Sequence, residues 1–180
     1  MIVPVVEIKE LSCENCLWKN PPVIEYEIFE DNGMIGIEPK RGTENSSGID
    51  VFVPKGFADY HYDILDGHEA EIELESGEDV IIPLNLRIKI PHGYDAEVKN
   101  KSGIATKMKL IKGAQLIDQD YRGNVMIHLF NNGENTVVIK EGMKIAQLVI
   151  RPVLINEWKR VDSIDIDTER GEGGFGSTGK

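Results

Sequence analysis

Four short stretches carry most of the side chains that could do chemistry. The C-terminal one, Arg170 to Lys180, reads RGEGGFGSTGK. Its glycines let the backbone come close to phosphate oxygens and offer N–H donors, and Ser177 and Thr178 add hydroxyls. Arg170 can hold an oxyanion with two parallel bonds, and Phe175 can stack on a flat ring. Phosphate donors and a ring partner in one peptide point to a nucleotide. The run GFGSTGK also fits the opening of a G-x-x-x-x-G-K phosphate loop. That loop needs a buried strand before it and a helix after it, and the sequence shows neither.

The other three stretches are NKSGIA (Asn100 to Ala105), LIDQDYRGN (Leu116 to Asn124) and SSGIDVFV (Ser46 to Val53). The first sets a cation, a hydroxyl and a glycine N–H at the start of a short helical turn, a phosphate-binding combination. The second puts two carboxylates and a tyrosine into a polar turn between apolar strands. The third starts a strand with Asp50. Taken singly, each reads as an ordinary turn. The two cysteines, Cys13 and Cys16, have C-x-x-C spacing but no second pair to complete a zinc site, so they read as reduced thiols.

The elements around these stretches are short strands. LNLRIKI puts Leu84, Leu86, Ile88 and Ile90 on one face; NVMIHLF does the same with Val125, Ile127 and Leu129. TVVI and KIAQLVI read as further strands parted by the turn Lys140-Glu141-Gly142. The one helical turn falls on SGIATKM. Many strands and almost no helix predict an all-β sandwich, jelly roll or barrel. Residues 1–24 read as an N-terminal extension and 25–161 as the core. Within the core an acidic insertion at about 57–79 reads as a solvated hairpin, with Ile72 and Leu74 against the core and Glu71 and Glu73 outward. Residues 162–180 read as a linker and mobile arm. Trp158 is expected in the core or a subunit interface, His128 packed on its strand and Arg122 on the surface.

The chain has 180 residues and a net charge of -11, which argues against nucleic acid as a partner because a phosphate backbone demands a basic face. No apolar run reaches the length of a membrane span. The N-terminal MIVPVVEIKE lacks a basic region followed by a long apolar one, so the expected location is cytoplasmic, the host cytoplasm for a viral source.

In this order, the four stretches and GMKIAQLVI resemble the five motifs of the trimeric dUTPases, the deoxyuridine 5'-triphosphate nucleotidohydrolases, from about Pro39 to Lys180. The resemblance implies a jelly-roll-like dUTPase β-fold and a homotrimer with exchanged C-terminal arms, each site drawing on all three chains. It implies Mg2+-dependent hydrolysis of dUTP to dUMP and pyrophosphate, limiting uracil in DNA and supplying dUMP for dTMP synthesis. Carried over, Asp118 is the base that activates water, and Tyr121 packs on the deoxyribose. Leu116, Ile117 and Met126 read the uracil edge through the backbone. Lys101, Ser102, Gly103 and Gln147 hold phosphates. Arg170 reaches the γ-phosphate, Phe175 stacks on uracil, and Gly176, Ser177 and Thr178 wrap the phosphates. Mg2+ is carried mainly by phosphates and water, assisted by Asp50.

Departures from the family pattern are Lys101 for arginine, Gln115 for a glycine in the base-reading hairpin, and Met143-Lys144 for an acidic residue and arginine. Lysine cannot make the bidentate contact of arginine, and a side chain at Gln115 alters the base pocket. Lys112 has no assigned role. Two further readings stand beside the hydrolase. One is a dCTP deaminase or bifunctional relative. The other is a nucleotide-binding regulatory module with a protein partner at the acidic insertion.

Overall fold

The computed structural model describes residues 21–57 and 71–173. Along the described chain run β1 (Glu25–Ile28), β2 (Glu30–Asp31), β3 (Met34–Ile35), β4 (Lys40–Arg41), β5 (Ile49–Phe52), β6 (Glu71–Leu74) and β7 (Asp79–Pro83). Then come β8 (Leu86–Lys89), β9 (Tyr94–Asn100), the helix α1 (Ser102–Lys107), β10 (Leu110–Lys112), β11 (Leu116–Ile117), β12 (Met126–Asn131), β13 (Val137–Lys140) and β14 (Lys144–Pro152). The largest sheet has the order β11-β9-β14-β5-β4, and a three-stranded sheet has the order β10-β12-β7. Pairs β1-β8, β6-β13 and β2-β3 complete the strands. All registered pairs are antiparallel.

Alternation decides what each strand buries. On β8 and its flanks, Leu84, Leu86, Ile88 and Ile90 are all buried; on β12, Ile127 and Leu129 are, with Val125 just before it. On the large sheet Val51, Ala96, Val98, Ala146 and Leu148 face the same core. Asp50, Asp95, Glu97, Lys99, Gln147 and Arg151 therefore share the sheet's opposite face. The expected strands and helical turn form as read. Across Leu110, Ile127, Leu129, Ile139 and Ile145 the core is closed to solvent.

Of the acidic stretch, Phe57 and the part from Glu71 onward are among the described residues. Ile72 and Leu74 are buried as expected, but β6 pairs with β13 and not with β7, and Phe57 is 1% exposed. Both ends of the stretch thus belong to the core; residues 58–70 and the extension before Pro21, with Cys13 and Cys16, lie outside the described residues. Of the two places expected for Trp158, the core is excluded, since it is 95% exposed on the single chain. Lys144 is tied structurally, through an ion pair with Asp50.

Candidate active site

The carboxylate-bearing turn is built on the edge of the large sheet. β11 pairs with β9 so that Leu116 lies opposite Glu97 and Ile117 opposite Ala96, and the amide of Val98 donates to the Gln115 carbonyl at 2.8 Å. Ile117 is buried, which anchors the strand and leaves the following residue, Asp118, at the surface. Gln119 pins the turn through its Oε1, which accepts the Gly93 amide at 2.9 Å. The Tyr121 amide donates to the Asp118 carbonyl at 3.1 Å. The carboxylate of Asp118 makes no hydrogen bond or ion pair among the described residues. A carboxylate left open in this way can accept a hydrogen bond from water.

Tyr121 folds back over its own turn. Its hydroxyl donates to the Asn124 carbonyl at 2.8 Å, and a Cβ at Gly123 would stand 2.4 Å from that hydroxyl. Glycine at 123 is thus what allows the ring its position. Asn124 is anchored in turn: its Nδ2 donates to Asn85 Oδ1 at 2.9 Å, and the Asn85 Nδ2 donates to the Met34 carbonyl at 2.7 Å. Asn85 is fully buried with φ of 48°, a left-handed conformation that asparagine tolerates best after glycine. Tyr121 stays 41% exposed, and Leu116 (57%) and Met126 (48%) before and after it in the chain are exposed as well. Exposed apolar side chains of this kind are suited to contact with a sugar and a base.

A second cluster forms at the far end of β9. Asp50, only 5% exposed, holds Lys101 Nζ at 2.5 Å and Lys144 Nζ at 3.2 Å. Burial pushes its carboxyl upward, but the bonds from Lys101 and Lys144 outweigh burial and hold it below the ordinary aspartate range. Gln147 lies opposite Asp50, and its Nε2 donates to the Asn100 carbonyl at 3.1 Å. Gly48 leaves room for the Gln147 side chain, since a Cβ there would stand 2.5 Å from Gln147 Oε1. Ser102 and Gly103, exposed in the first turn of α1, complete a patch of two cations, a hydroxyl, an amide and free N–H groups. Such a patch can neutralise and orient a polyphosphate.

One chain does not bring these two clusters together. Asp118 follows the Ile117–Ala96 pair and so lies level with Asp95, whereas Lys101 follows the end of β9 at Asn100. Six residues of strand separate the two levels, roughly 20 Å at about 3.3 Å per residue.

Asn100 ties the two ends structurally, and nothing in its residue type announced this. Its carbonyl takes Gln147, its Oδ1 accepts the Lys112 amide at 2.9 Å, and the Lys112 ammonium bonds the Gln115 side chain. Gln115 is thereby drawn toward Lys112, giving that lysine a place. Asn85, Asn100 and Asn124 escaped the sequence reading because a single asparagine carries no periodic signal. Arg170 is exposed and donates to the Gly173 carbonyl at 2.9 Å, with no contact to either cluster. Phe175, Gly176, Ser177 and Thr178 lie outside the described residues.

The sequence profile of the dUTPase family matches residues 58–179. Among curated proteins, the deoxyuridine 5'-triphosphate nucleotidohydrolase of Ehrlichia canis (strain Jake) is 38% identical over 144 residues, covering 78% of this chain and 86% of its own. That of Mus musculus is 38% identical over 142 residues, covering 79% and 78%. Among solved structures, the dUTPase of Staphylococcus bacteriophage 80alpha with dUPNHPP matches with a TM-score of 0.69 at 26% identity, covering 88% of this chain and 99% of its own. The dUTPase of phage phi11, matched at a TM-score of 0.62 and 24% identity, coordinates a structural Mg(II) ion in one of its variants.

Proposed function

Because the chain belongs to the dUTPase family, we propose that it hydrolyses dUTP to dUMP and pyrophosphate, at sites shared between the subunits of a homotrimer. The observation that carries this reading is the unpartnered carboxylate of Asp118, held on a hairpin whose next features are the Tyr121 ring and exposed apolar side chains. Uracil and deoxyribose lie against these, the base bonded by main-chain groups around Leu116, Ile117 and Met126. Gln115 and Lys112 line the approach. Tyr121, packed on the sugar, leaves no room for a 2'-hydroxyl.

The phosphates lie against Lys101, Ser102, Gly103 and Gln147 of a neighbouring chain. A base and the donors that hold the phosphate it works on must lie within a water's reach of each other. The roughly 20 Å between the two clusters of one chain is too long for that at 3.3 Å per residue. Asp118 of one copy therefore meets the phosphate cluster of the next. Asp118 orients water and takes its proton as the oxygen attacks the α-phosphorus, and pyrophosphate leaves. The arm from Arg170 onward closes over the site, with Phe175 on the uracil and Arg170, Gly176, Ser177 and Thr178 on the phosphates.

Both oxygens of Asp50 are occupied by lysines, and the described residues contain no cluster of three acidic, cysteine or histidine side chains. These residues fit a divalent ion that arrives on the triphosphate better than one held in a protein cage. Bound Mg2+ would supply charge neutralisation on the phosphates. Asp50 instead orders Lys101, which receives the chain of phosphates, while Lys144 occupies its second oxygen.

The test is pyrophosphate release from dUTP, dCTP, dTTP and UTP with Mg2+. Rapid turnover of dUTP alone is expected. Deamination of dCTP, or no turnover of any of the four, overturns the proposal. No helix of the described residues is long and apolar enough to cross a membrane, and we place the activity in the cytoplasm.

A further inference from the structure

The turn from Asp118 to Asn124 is held at each end by a different part of the fold. At the Asp118 end, Gln119 Oε1 accepts the Gly93 amide at 2.9 Å. At the Tyr121 end the anchor is Asn85, which lies between β7 and β8 and is 0% exposed. Its Oδ1 accepts from Asn124 Nδ2 at 2.9 Å, its Nδ2 donates to the Met34 carbonyl at 2.7 Å, and its own carbonyl accepts the Phe29 amide at 3.1 Å. A Cβ at Gly36 would collide with that carbonyl, so the chain also closes on Asn85 from the side of Gly36. Asn124 in turn accepts the Leu86 amide on its Oδ1 at 3.2 Å, and its carbonyl takes the Tyr121 hydroxyl at 2.8 Å. One line of bonds therefore runs from the exposed Tyr121 through Asn124 and Asn85 to the buried Met34.

We infer that Asn85 is a positioning residue for sugar selection: through Asn124 it fixes the Tyr121 ring, and so sets how strongly the site rejects a ribonucleotide. The inference rests on the reading of Tyr121 as the wall against a 2'-hydroxyl. dUTP and UTP differ by that one oxygen, and a wall excludes it only if the wall does not yield. Apolar pockets alone discriminate against an added hydroxyl by no more than about a hundredfold, and a ring free to shift gives less. Tyr121 is 41% exposed, so packing does not hold it on every side. Its hydroxyl is bonded to a turn carbonyl, which is only as fixed as Asn124 itself. Both polar atoms of the Asn124 side chain are tied to the start of β8, one of them to Asn85. The φ of 48° at residue 85 would be met equally well by glycine. What asparagine adds is a carboxamide bonded through both its polar atoms, as a buried polar group must be, and that group is what reaches the Tyr121 turn. Asp118 has its own anchor at Gln119, so Asn85 bears on the choice of sugar more than on the rate of attack.

The experiment is steady-state kinetics of the full chain on dUTP and UTP with Mg2+, next to thermal melts, for wild type, Asn85→Gly and Gln119→Ala. Asn85→Gly keeps the left-handed backbone and removes the carboxamide. The ratio of kcat/KM for dUTP over UTP is expected to fall by about tenfold or more in this variant, chiefly through a gain on UTP, with kcat for dUTP nearly kept. Gln119→Ala is expected to do the reverse, lowering kcat for dUTP with the ratio unchanged. If Asn85→Gly fails to fold, Asn124→Ala decides by the same ratio, since it cuts the same link and leaves the backbone carbonyl in place. An Asn85 variant that melts earlier and loses both activities alike, with the ratio of wild type, overturns the inference and leaves dUTP hydrolysis standing. A ratio that falls only through loss of dUTP turnover, or that falls equally in the Gln119 variant, also overturns it. A wild type that hydrolyses UTP as readily as dUTP overturns the reading of Tyr121 and the inference together.

Discussion

Asp50 and Lys101 are 51 residues apart in sequence, yet their carboxylate and ammonium meet at 2.5 Å, with Lys144 on the second oxygen. The lysine that the family resemblance assigns to phosphate is therefore positioned by an aspartate that touches neither base nor sugar. Asp50→Asn removes that hold and leaves two cations side by side. We expect kcat/KM for dUTP to fall about tenfold or more, in line with about 1.5–3 kcal/mol for a hydrogen bond to a charged group, mainly through KM.

The same pair gives a pH dependence. The Asp50 carboxyl titrates below its ordinary value in the folded chain, so the unfolded chain binds its proton first as pH falls. The pair's stabilisation is present above about pH 4 and is lost as pH drops from there through the lowered value. Thermal melts between pH 6 and pH 2.5 should show wild type losing stability more steeply below about pH 4 than Asp50→Asn. Parallel curves would show that the pair contributes nothing.

Asp118→Asn keeps the shape of the hairpin and removes the base. Its turnover should fall by about a hundred- to ten-thousandfold with KM little changed, since general-base assistance acts on the transition state. A variant within a few-fold of wild type would leave Asp118 without its role. Steady-state kinetics at saturating Mg2+ decide.

Asn100→Ala takes away the acceptor of the Lys112 amide and leaves that donor part-buried. The expected loss is about 1–3 kcal/mol of stability, with weaker binding of both dUMP and pyrophosphate, because the residue holds Gln147 on one side and the Lys112-Gln115 pair on the other. Asn100→Asp retains the acceptor and should recover most of the binding. Binding of the two products by calorimetry, next to a denaturant melt, separates anchoring from plain destabilisation.

Deleting the residues after Glu169 should leave the melt unchanged and reduce turnover strongly. Arg170 contacts only its own turn and touches neither cluster. A fully active truncated chain would remove the arm from the mechanism.

The strands were legible because alternation of apolar residues is a periodic signal: Leu84, Leu86, Ile88 and Ile90 announced their burial, as did Ile127 and Leu129. The carboxylate and phosphate stretches were legible as types in order. What sequence withheld was pairing at long range. Glu71 and Glu73 read only as the outward face of a hairpin within 57–79, whereas β6 finds a partner in β13, more than 60 residues on. Residue type alone could not choose between core and subunit interface for Trp158, and its 95% exposure on the single chain excludes the core. The roughly 20 Å between Asp118 and Lys101 follows from strand register at about 3.3 Å per residue, which no local motif encodes. Asn85, Asn100 and Asn124 act through bonds to distant backbone, invisible to spacing.

That separation makes the shared site testable by complementation. Asp118→Asn removes the base, and Ser102→Asp sets a carboxylate against the phosphates; each variant alone should be inactive. When the two are unfolded together and refolded as mixed trimers, some sites pair an intact Asp118 from one chain with an intact Ser102 cluster from another. The account predicts that a substantial part of the wild-type dUTP turnover returns on mixing. Mixed trimers as inactive as either parent would place Asp118 and the phosphate cluster of a working site in one chain, and contradict it.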